Sequence, residues 1–164
     1  MPAETIVIDT REQRPYGTKG GYDVVTVRHA LAVGDYALLA DCAIPADGTA
    51  YKPTRAVERK SVADFISSWM LPGPRSRELA KLIRARQLRC IVAYVVDGDE
   101  AAIARYPYRK RFKGKAATAA SVMGYVHSLR AKGFPVLLCA DKRAAAKAAY
   151  GWLMREGAEC NPQS

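Results

Sequence analysis

A chain of 164 residues with 26 Lys and Arg against 16 Asp and Glu is one domain's worth of sequence, and its net charge of +10 makes a polyanion, nucleic acid first of all, the natural partner. Its 49% apolar content argues against wholesale disorder, and no apolar run reaches the roughly 18 residues that a membrane span needs. The charge is unevenly spread. Residues 1–50 hold 4 basic and 7 acidic side chains, residues 51–100 hold 10 and 6, and residues 101–164 hold 12 and 3, so the basic surface belongs to the later two-thirds.

The first residues include acidic Glu4 and no basic leader, which argues against a secretory signal. Cys42, Cys90, Cys139 and Cys160 are far apart and form no C-x-x-C pair, so they read as free thiols in a reducing compartment. A cytoplasmic or nucleoid location is therefore expected, with no membrane partner.

In chain order, residues 5–9 are a β-branched run and predict a buried first strand. A loop follows through Arg11, Glu12, Arg14, Pro15 and the pair Gly20-Gly21, and residues 22–28 predict an edge strand. Residues 31–39 have period two, which places Leu31, Val33 and Asp35 on one face of a strand. Pro45-Ala46-Asp47-Gly48 is a turn signal, so residues 41–54 are expected to lead as a hairpin into a returning strand over 55–60. Ser61 is a good N-cap for a helix with Val62, Phe65, Ile66 and Trp69 at i, i+3, i+4, i+7. Residues 71–74 should break it, before a second helix over 75–88 with Leu79, Leu82 and Ile83 inward.

Residues 89–96 are continuously apolar, as a central strand covered on both faces would be, and Asp97-Gly98-Asp99 closes it. After a basic loop, residues 116–132 predict a helix with Val122, Met123, Val126 and Leu129 inward and Gly133 as its stop. Residues 135–140 read as a last strand, and Asp141 caps an Ala-rich helix running to about Glu156, with a polar tail over 161–164. Strands first, then helices and strands alternating, make a single domain over residues 1–160. Its fold class is α/β, a mixed sheet flanked by helices on both faces.

The chemistry concentrates at Glu58-Arg59-Lys60. On a strand, Glu58 and Lys60 share a face and Arg59 points the other way. Phosphodiester hydrolysis needs an activated water and shielding of the developing charge, and a hard divalent cation held by carboxylates supplies both. The hairpin lets Asp35 converge on Glu58, Lys60 stands where it could orient the water or neutralise a phosphate, and Asp9 at the end of the first strand is a third carboxylate.

Asp9-x-Arg11-Glu12, Gly34-Asp35-Tyr36 and Glu58-Arg59-Lys60-x-x-x-Asp64, in this order, resemble the nuclease domain of the XPF-type structure-specific endonucleases over about residues 5–155. The resemblance implies a restriction-endonuclease-like PD-(D/E)XK core that cleaves branched DNA, at flaps or single-strand/duplex junctions, in repair, recombination or replication. It implies Mg²⁺ or Mn²⁺ as cofactor, with Asp9, Asp35 and Glu58 as metal-site acids and Lys60 as the catalytic lysine. Arg11 and Arg59 would engage or orient phosphates and neighbouring carboxylates. Asp64 is shared between catalysis and a capping box with Ser61, and the role of Glu12 stays open. Two departures stand out. The 164 residues hold no tandem helix-hairpin-helix module, so a homodimer or a separate partner is expected to supply duplex binding, and the hairpin between Asp35 and Glu58 is longer than the resemblance implies.

Residues 105–115 carry six basic side chains, among them Arg109, Lys110, Arg111 and Lys113, interleaved with Tyr106, Tyr108 and Phe112. Cations neutralise phosphates and aromatic rings stack on unpaired bases, so this stretch is a DNA-binding candidate; its alternative is a solvated loop whose rings pack on the domain. Arg75 and Arg77 are further DNA-binding candidates. His29 and His127 have no ligand spacing. The rival readings are a catalytically silent DNA-binding or scaffold subunit, and an RNA-binding protein.

Overall fold

The computed structural model describes residues 3–17, 19–113 and 117–155. Cys160, Glu156, the tail over 161–164, Lys115 and the predicted helix start at 116 lie outside these residues. Strands β1 (Glu4–Ile8), β2 (Val24–Arg28) and β3 (Tyr36–Leu38) come first, followed by a two-stranded ribbon of β4 (Cys42–Ala43) and β5 (Lys52–Pro53). Then come β6 (Arg55–Ser61), helices α1 (Val62–Met70) and α2 (Pro72–Gln87), and β7 (Ile91–Asp97). Helices α3 (Glu100–Ala104), α4 (Tyr108–Arg111) and α5 (Ala119–Ala131), strand β8 (Val136–Leu138) and helix α6 (Lys142–Leu153) complete the chain.

Six strands form one mixed sheet in the order β2-β1-β3-β6-β7-β8. The pairs β1–β2, β6–β7 and β7–β8 are parallel, and β3 runs antiparallel to both β1 and β6. Helices cover both faces, as expected. Phe65, Ile66 and Trp69 of α1, Leu82 of α2 and Val122, Val126 and Leu129 of α5 pack with Tyr94 and Val96 on one face. Ala145, Ala149, Tyr150 and Leu153 of α6 pack with Ile6, Tyr36, Val57 and Val95 on the other. At about 25 cal/mol per Å² of apolar surface, each large side chain so buried contributes about 1.5–3 kcal/mol. Cys90 and Cys139 are buried, as read from the sequence, and Cys42 is half-buried. No helix among the described residues is long and apolar enough to cross a membrane.

Caps fall where the side-chain chemistry puts them. Ser61, Asp99, Thr118 and Asp141 each accept a backbone N–H from the first turn of α1, α3, α5 and α6.

Four local expectations are corrected. The strand over 31–39 is reduced to Tyr36–Leu38, because Gly34 adopts φ +80° and bends the chain. Leu31 then packs with Val7 and Ala37 while Val33 joins the Trp69 cluster, so the two do not share a face. Only Leu71 separates α1 from α2; Pro72 and Pro74 sit in the first turn of α2, where N–H groups have no intrahelical partner to lose. The inward face of α2 is Glu78, Leu82 and Ala85, whereas Leu79 (45% exposed) and Ile83 (59%) face outward. The basic loop after β7 contains two short helices, α3 and α4.

Candidate active site

Because β3 is antiparallel to β1 and β6, the carboxyl ends of β1, β6 and β7 meet at one edge of the sheet, and the chain enters β3 from that same edge. That topology gathers Asp9, Asp35, Glu58–Lys60 and Asp97. Asp35 is fixed by its backbone, donating N–H to Val57 O at 2.7 Å and accepting Asp9 N–H on its carbonyl at 2.8 Å. Its side chain Oδ2 accepts the Arg59 N–H at 2.8 Å, which holds it beside the Glu58 strand position. The two acids border a cleft of about 760 Å³ that Arg11, Lys60, Ser61 and Asp64 also line.

Glu58 and Lys60 do share one face of β6, with Lys60 Nζ 3.4 Å from Glu58 Oε1. Two residues missed in the sequence close this group into a ring. Buried Glu78 of α2 (4% exposed) accepts Lys60 Nζ at 2.7 Å and Lys81 Nζ at 3.2 Å on Oε1, and the Tyr94 hydroxyl at 3.0 Å on Oε2. Lys81 donates in turn to Glu58 Oε1 at 2.6 Å. Burial opposes the charge on Glu78, but Lys60 and Lys81 outweigh it and hold the carboxyl below the ordinary glutamate range. Burial likewise opposes the charge on Lys81, and Glu58 reverses the balance upward. Asp35 goes the opposite way. Burial first, then the facing Glu58 carboxylate, push its carboxyl up to about 8 against a single opposing backbone N–H from Arg59 and the more distant Lys81 charge.

Asp9 has a place different from the one expected. Its carboxylate is wholly buried and spent inside the protein: Oδ1 accepts Arg11 N–H at 2.8 Å and Nε at 2.6 Å, and Oδ2 accepts Arg11 Nη2 at 3.0 Å and Leu31 N–H at 2.6 Å. Burial pushes this carboxyl up, and the bonds from Arg11 and Leu31 more than reverse it, so it lies below the usual range. Asp9 thus brackets the end of β1 against Arg11 and Leu31. Among the described residues no three His, Cys, Asp or Glu side chains come together as a metal cage. The acids left facing each other at the cleft are Asp35 and Glu58.

Arg59, which lines the cleft, engages neighbouring carboxylates, one of the two roles the resemblance implies for it. It donates Nη2 to Asp97 at 2.7 Å and Nη1 to Arg14 O at 2.7 Å, lies 5.1 Å from the Tyr16 ring centre, and is 3.8 Å from Glu12. It pins the loop after β1 to the sheet edge. Arg11, by contrast, keeps 70% of its side chain exposed at the cleft despite its pairing with Asp9. Asp64 shows both faces of its sequence reading: its N–H donates to Ser61 Oγ at 3.1 Å and its Oδ2 accepts that hydroxyl at 2.7 Å, yet it lines the cleft.

The DNA-binding candidates divide. Arg77 borders a second cleft that reaches the same two acids, whereas Arg75 donates Nη1 to the Tyr125 hydroxyl at 2.8 Å in a groove between α2 and α5. Arg109, Lys110, Arg111 and Lys113 are exposed and border neither cleft at the acids. Their neighbouring rings are not presented to bases: Tyr106, Tyr108 and Phe112 pack on one another at 5.2–6.3 Å, and the Tyr108 hydroxyl is spent on Ile103 O. His29 stacks on Tyr51 and His127 is exposed, neither with a ligand set. Glu78 carried a readable signal, since positions 78, 82 and 85 are one helical face and an acid on an apolar face needs partners. Asp97 carried none beyond its place at a strand end.

The sequence matches the family model described as the ERCC4 domain over residues 8–150. Among solved structures, XPF from Aeropyrum pernix superposes with a TM-score of 0.61 at 20% identity, covering 92% of this chain and 65% of that one, so the two share the restriction-endonuclease-like nuclease fold. The chain spans about two-thirds of the length of that relative. No curated protein matches it by sequence.

Proposed function

Because the chain belongs to the ERCC4-domain family, a family of nucleases, we propose that it is a divalent-metal-dependent endonuclease that hydrolyses phosphodiester bonds in DNA at branched, flap or single-strand/duplex junctions. Repair, recombination or replication intermediates present such junctions. The observation that carries this reading is the pair Asp35 and Glu58 with Lys60 beside them, at the mouth of an open cleft.

Two facing carboxylates fit Mg²⁺ or Mn²⁺ better than a cage would. Mg²⁺ keeps several waters and is held by one or two carboxylates together with substrate phosphates. Burial and, after it, the neighbouring Glu58 carboxylate raise Asp35, and a dication bound between the two acids would relieve both. When bound, the ion supplies Lewis acidity and charge shielding. The protein's own groups do the rest. Lys60, held by Glu78, presents its ammonium protons on the Glu58 face, where they hydrogen-bond a non-bridging phosphate oxygen or orient the attacking water. Arg11, bracketed by Asp9, offers an exposed guanidinium to the adjacent phosphate. Arg59 and Asp97 keep the β1 loop from collapsing into the cleft.

The test uses purified chain with labelled flap, splayed-arm, nicked, duplex and single-stranded DNA in Mg²⁺, Mn²⁺ or EDTA. Cleavage of junction substrates, absent in EDTA and lost in Asp35→Asn and Lys60→Met, is expected. Folded protein that binds these DNAs and cuts none with either metal would overturn the enzyme reading in favour of a silent scaffold subunit.

A further inference from the structure

Three residues, Arg11, Asp35 and Glu58, line two clefts at once. The carboxylate pair is therefore a ridge with an opening on each side, and the sides differ in charge. The cleft toward α1 and α6 is lined by five basic side chains and six acidic ones. The cleft toward α2, about 650 Å³, is lined by four basic residues, Arg11, Arg77, Lys81 and Arg84, and by no acid other than the shared pair.

Its walls and floor are made for a chain rather than a small anion. Arg77, Lys81 and Arg84 stand at i, i+4 and i+7 of α2, one face of the helix, and span about 10 Å along it, the axial length of about three nucleotides of one B-form strand. The floor is Ala32, Val33 and Gly34, with Ala80 on the wall, so nothing bulky projects into the groove. Elsewhere near the site Arg59 is tied to Asp97, and Arg11, though exposed, is already paired with Asp9. Arg77 and Arg84 are exposed, and among the described residues they have neither an ion pair nor a side-chain hydrogen bond. Free guanidiniums aligned along a groove that ends at carboxylates are unsatisfied donors for phosphate.

We propose that a single DNA strand passes the carboxylate pair along the α2-side cleft, with successive phosphates held by Arg77, Lys81 and Arg84, so that α2 fixes the direction in which the strand crosses the site. This rests on the nuclease reading for the meaning of the ridge, but binding along the track does not depend on cleavage.

Binding is measured by fluorescence anisotropy in the Asp35→Asn background, with a labelled single strand, between 50 and 300 mM KCl. Replacing Arg77 and Arg84 by Ala removes two phosphate contacts, which should lower the slope of log K against log salt by about 1.4 and weaken binding at least tenfold at low salt. The Arg77→Lys/Arg84→Lys variant should restore the slope, and Lys52→Ala/Lys132→Ala, an equal charge loss on exposed residues elsewhere, should leave it unchanged. A single neutral methylphosphonate walked along the strand should cost wild type affinity at a position where it costs Arg84→Ala nothing. An unchanged slope in the Arg77/Arg84 double variant, or an equal fall in the control pair, overturns the track. If the track variants behave as expected while wild-type protein cuts no DNA, the nuclease reading fails and the track stands; cleavage with an unchanged slope gives the converse.

Discussion

Glu78→Gln is the sharpest perturbation of the candidate site, because it changes one charge and almost no volume. In the folded protein Glu78 accepts two lysine ammoniums and one phenol. The amide keeps an oxygen for Tyr94 but turns an NH₂ group toward a lysine. Hydrogen bonds to charged groups contribute about 1.5–3 kcal/mol each, and the Lys60 bond, between side chains only 11% and 5% exposed, takes the full value. The Lys81 bond is discounted to under about 1 kcal/mol, since that side chain is 46% exposed. Lys60 keeps Glu58 at 3.4 Å, so no buried charge is left alone and the larger penalty of about 3–5 kcal/mol is not reached.

The expected loss at pH 7 is therefore about 2–3 kcal/mol, a fall in Tm of about 4–12 °C for a chain of this size. The sign of its pH dependence follows from the lowered carboxyl of Glu78. A group depressed on folding stabilises above its unfolded pKa of about 4.3 and loses that contribution as pH falls through the folded value. Urea unfolding of both proteins at pH 7 and pH 3 should show a smaller gap at the second than at the first. A gap below about 0.5 kcal/mol at pH 7 would refute the ring as a stabilising unit, and a gap equal at both pH values would refute its electrostatic origin.

Asp9→Asn should leave Mn²⁺ affinity within about threefold of wild type by titration calorimetry, whereas Asp35→Asn should lose at least about tenfold, the low end for changes around a metal site; equal losses would return Asp9 to the metal ligands. Without metal, Asp35→Asn should be more stable than wild type, because a carboxyl raised to about 8 on folding costs stability progressively as pH rises from its unfolded value of about 4. The gain should be near zero at pH 4 and reach about 1–3 kcal/mol by pH 8, below the full shift because Asp35 is only half-buried; a gain that does not grow with pH would mean that burial and Glu58 do not raise this carboxyl. Gly34→Ala places a Cβ 2.6 Å from that of Ala56 at φ +80°, so chemical denaturation should show a loss of about 2–4 kcal/mol, and a wild-type midpoint would mean the bend before Asp35 relaxes freely.

What could be read from the sequence was what short range decides. Period two along residues 55–60 separated Glu58 and Lys60 from Arg59, and Ser61 with Phe65, Ile66 and Trp69 defined α1. Period two failed over 31–35 because one glycine in a left-handed conformation breaks the alternation, a backbone choice that the apolar pattern of its neighbours does not reveal. On α2 the pattern was ambiguous in a different way. Leu79, Leu82 and Ile83 make as good a stripe as Glu78, Leu82 and Ala85, and only the partners waiting on β6 and β7 make the acid-bearing face the buried one. Asp9 shows the same limit: the sequence puts a carboxylate at the strand end, while its assignment to Arg11 and Leu31 depends on a loop 22 residues away.

Local charge density misleads about the substrate path for a related reason. Residues 105–115 are the densest basic stretch of the chain, but the rings between the charges go to fill the space around Ile103 and each other, and the described cations line neither cleft at the acids. Helix α2 has a lower density of charge, yet helical spacing sorts Arg77, Lys81 and Arg84 onto one side and the buried acid Glu78 onto the next. The buried acid is what orders this face. Glu78 ties α2 to Lys60 and Tyr94, so the helix that carries the free guanidiniums is fixed to the strand that carries Glu58. A phosphate track attached in that way keeps its distance from the carboxylates, and positioning of this kind is where most of the rate of phosphoryl transfer comes from.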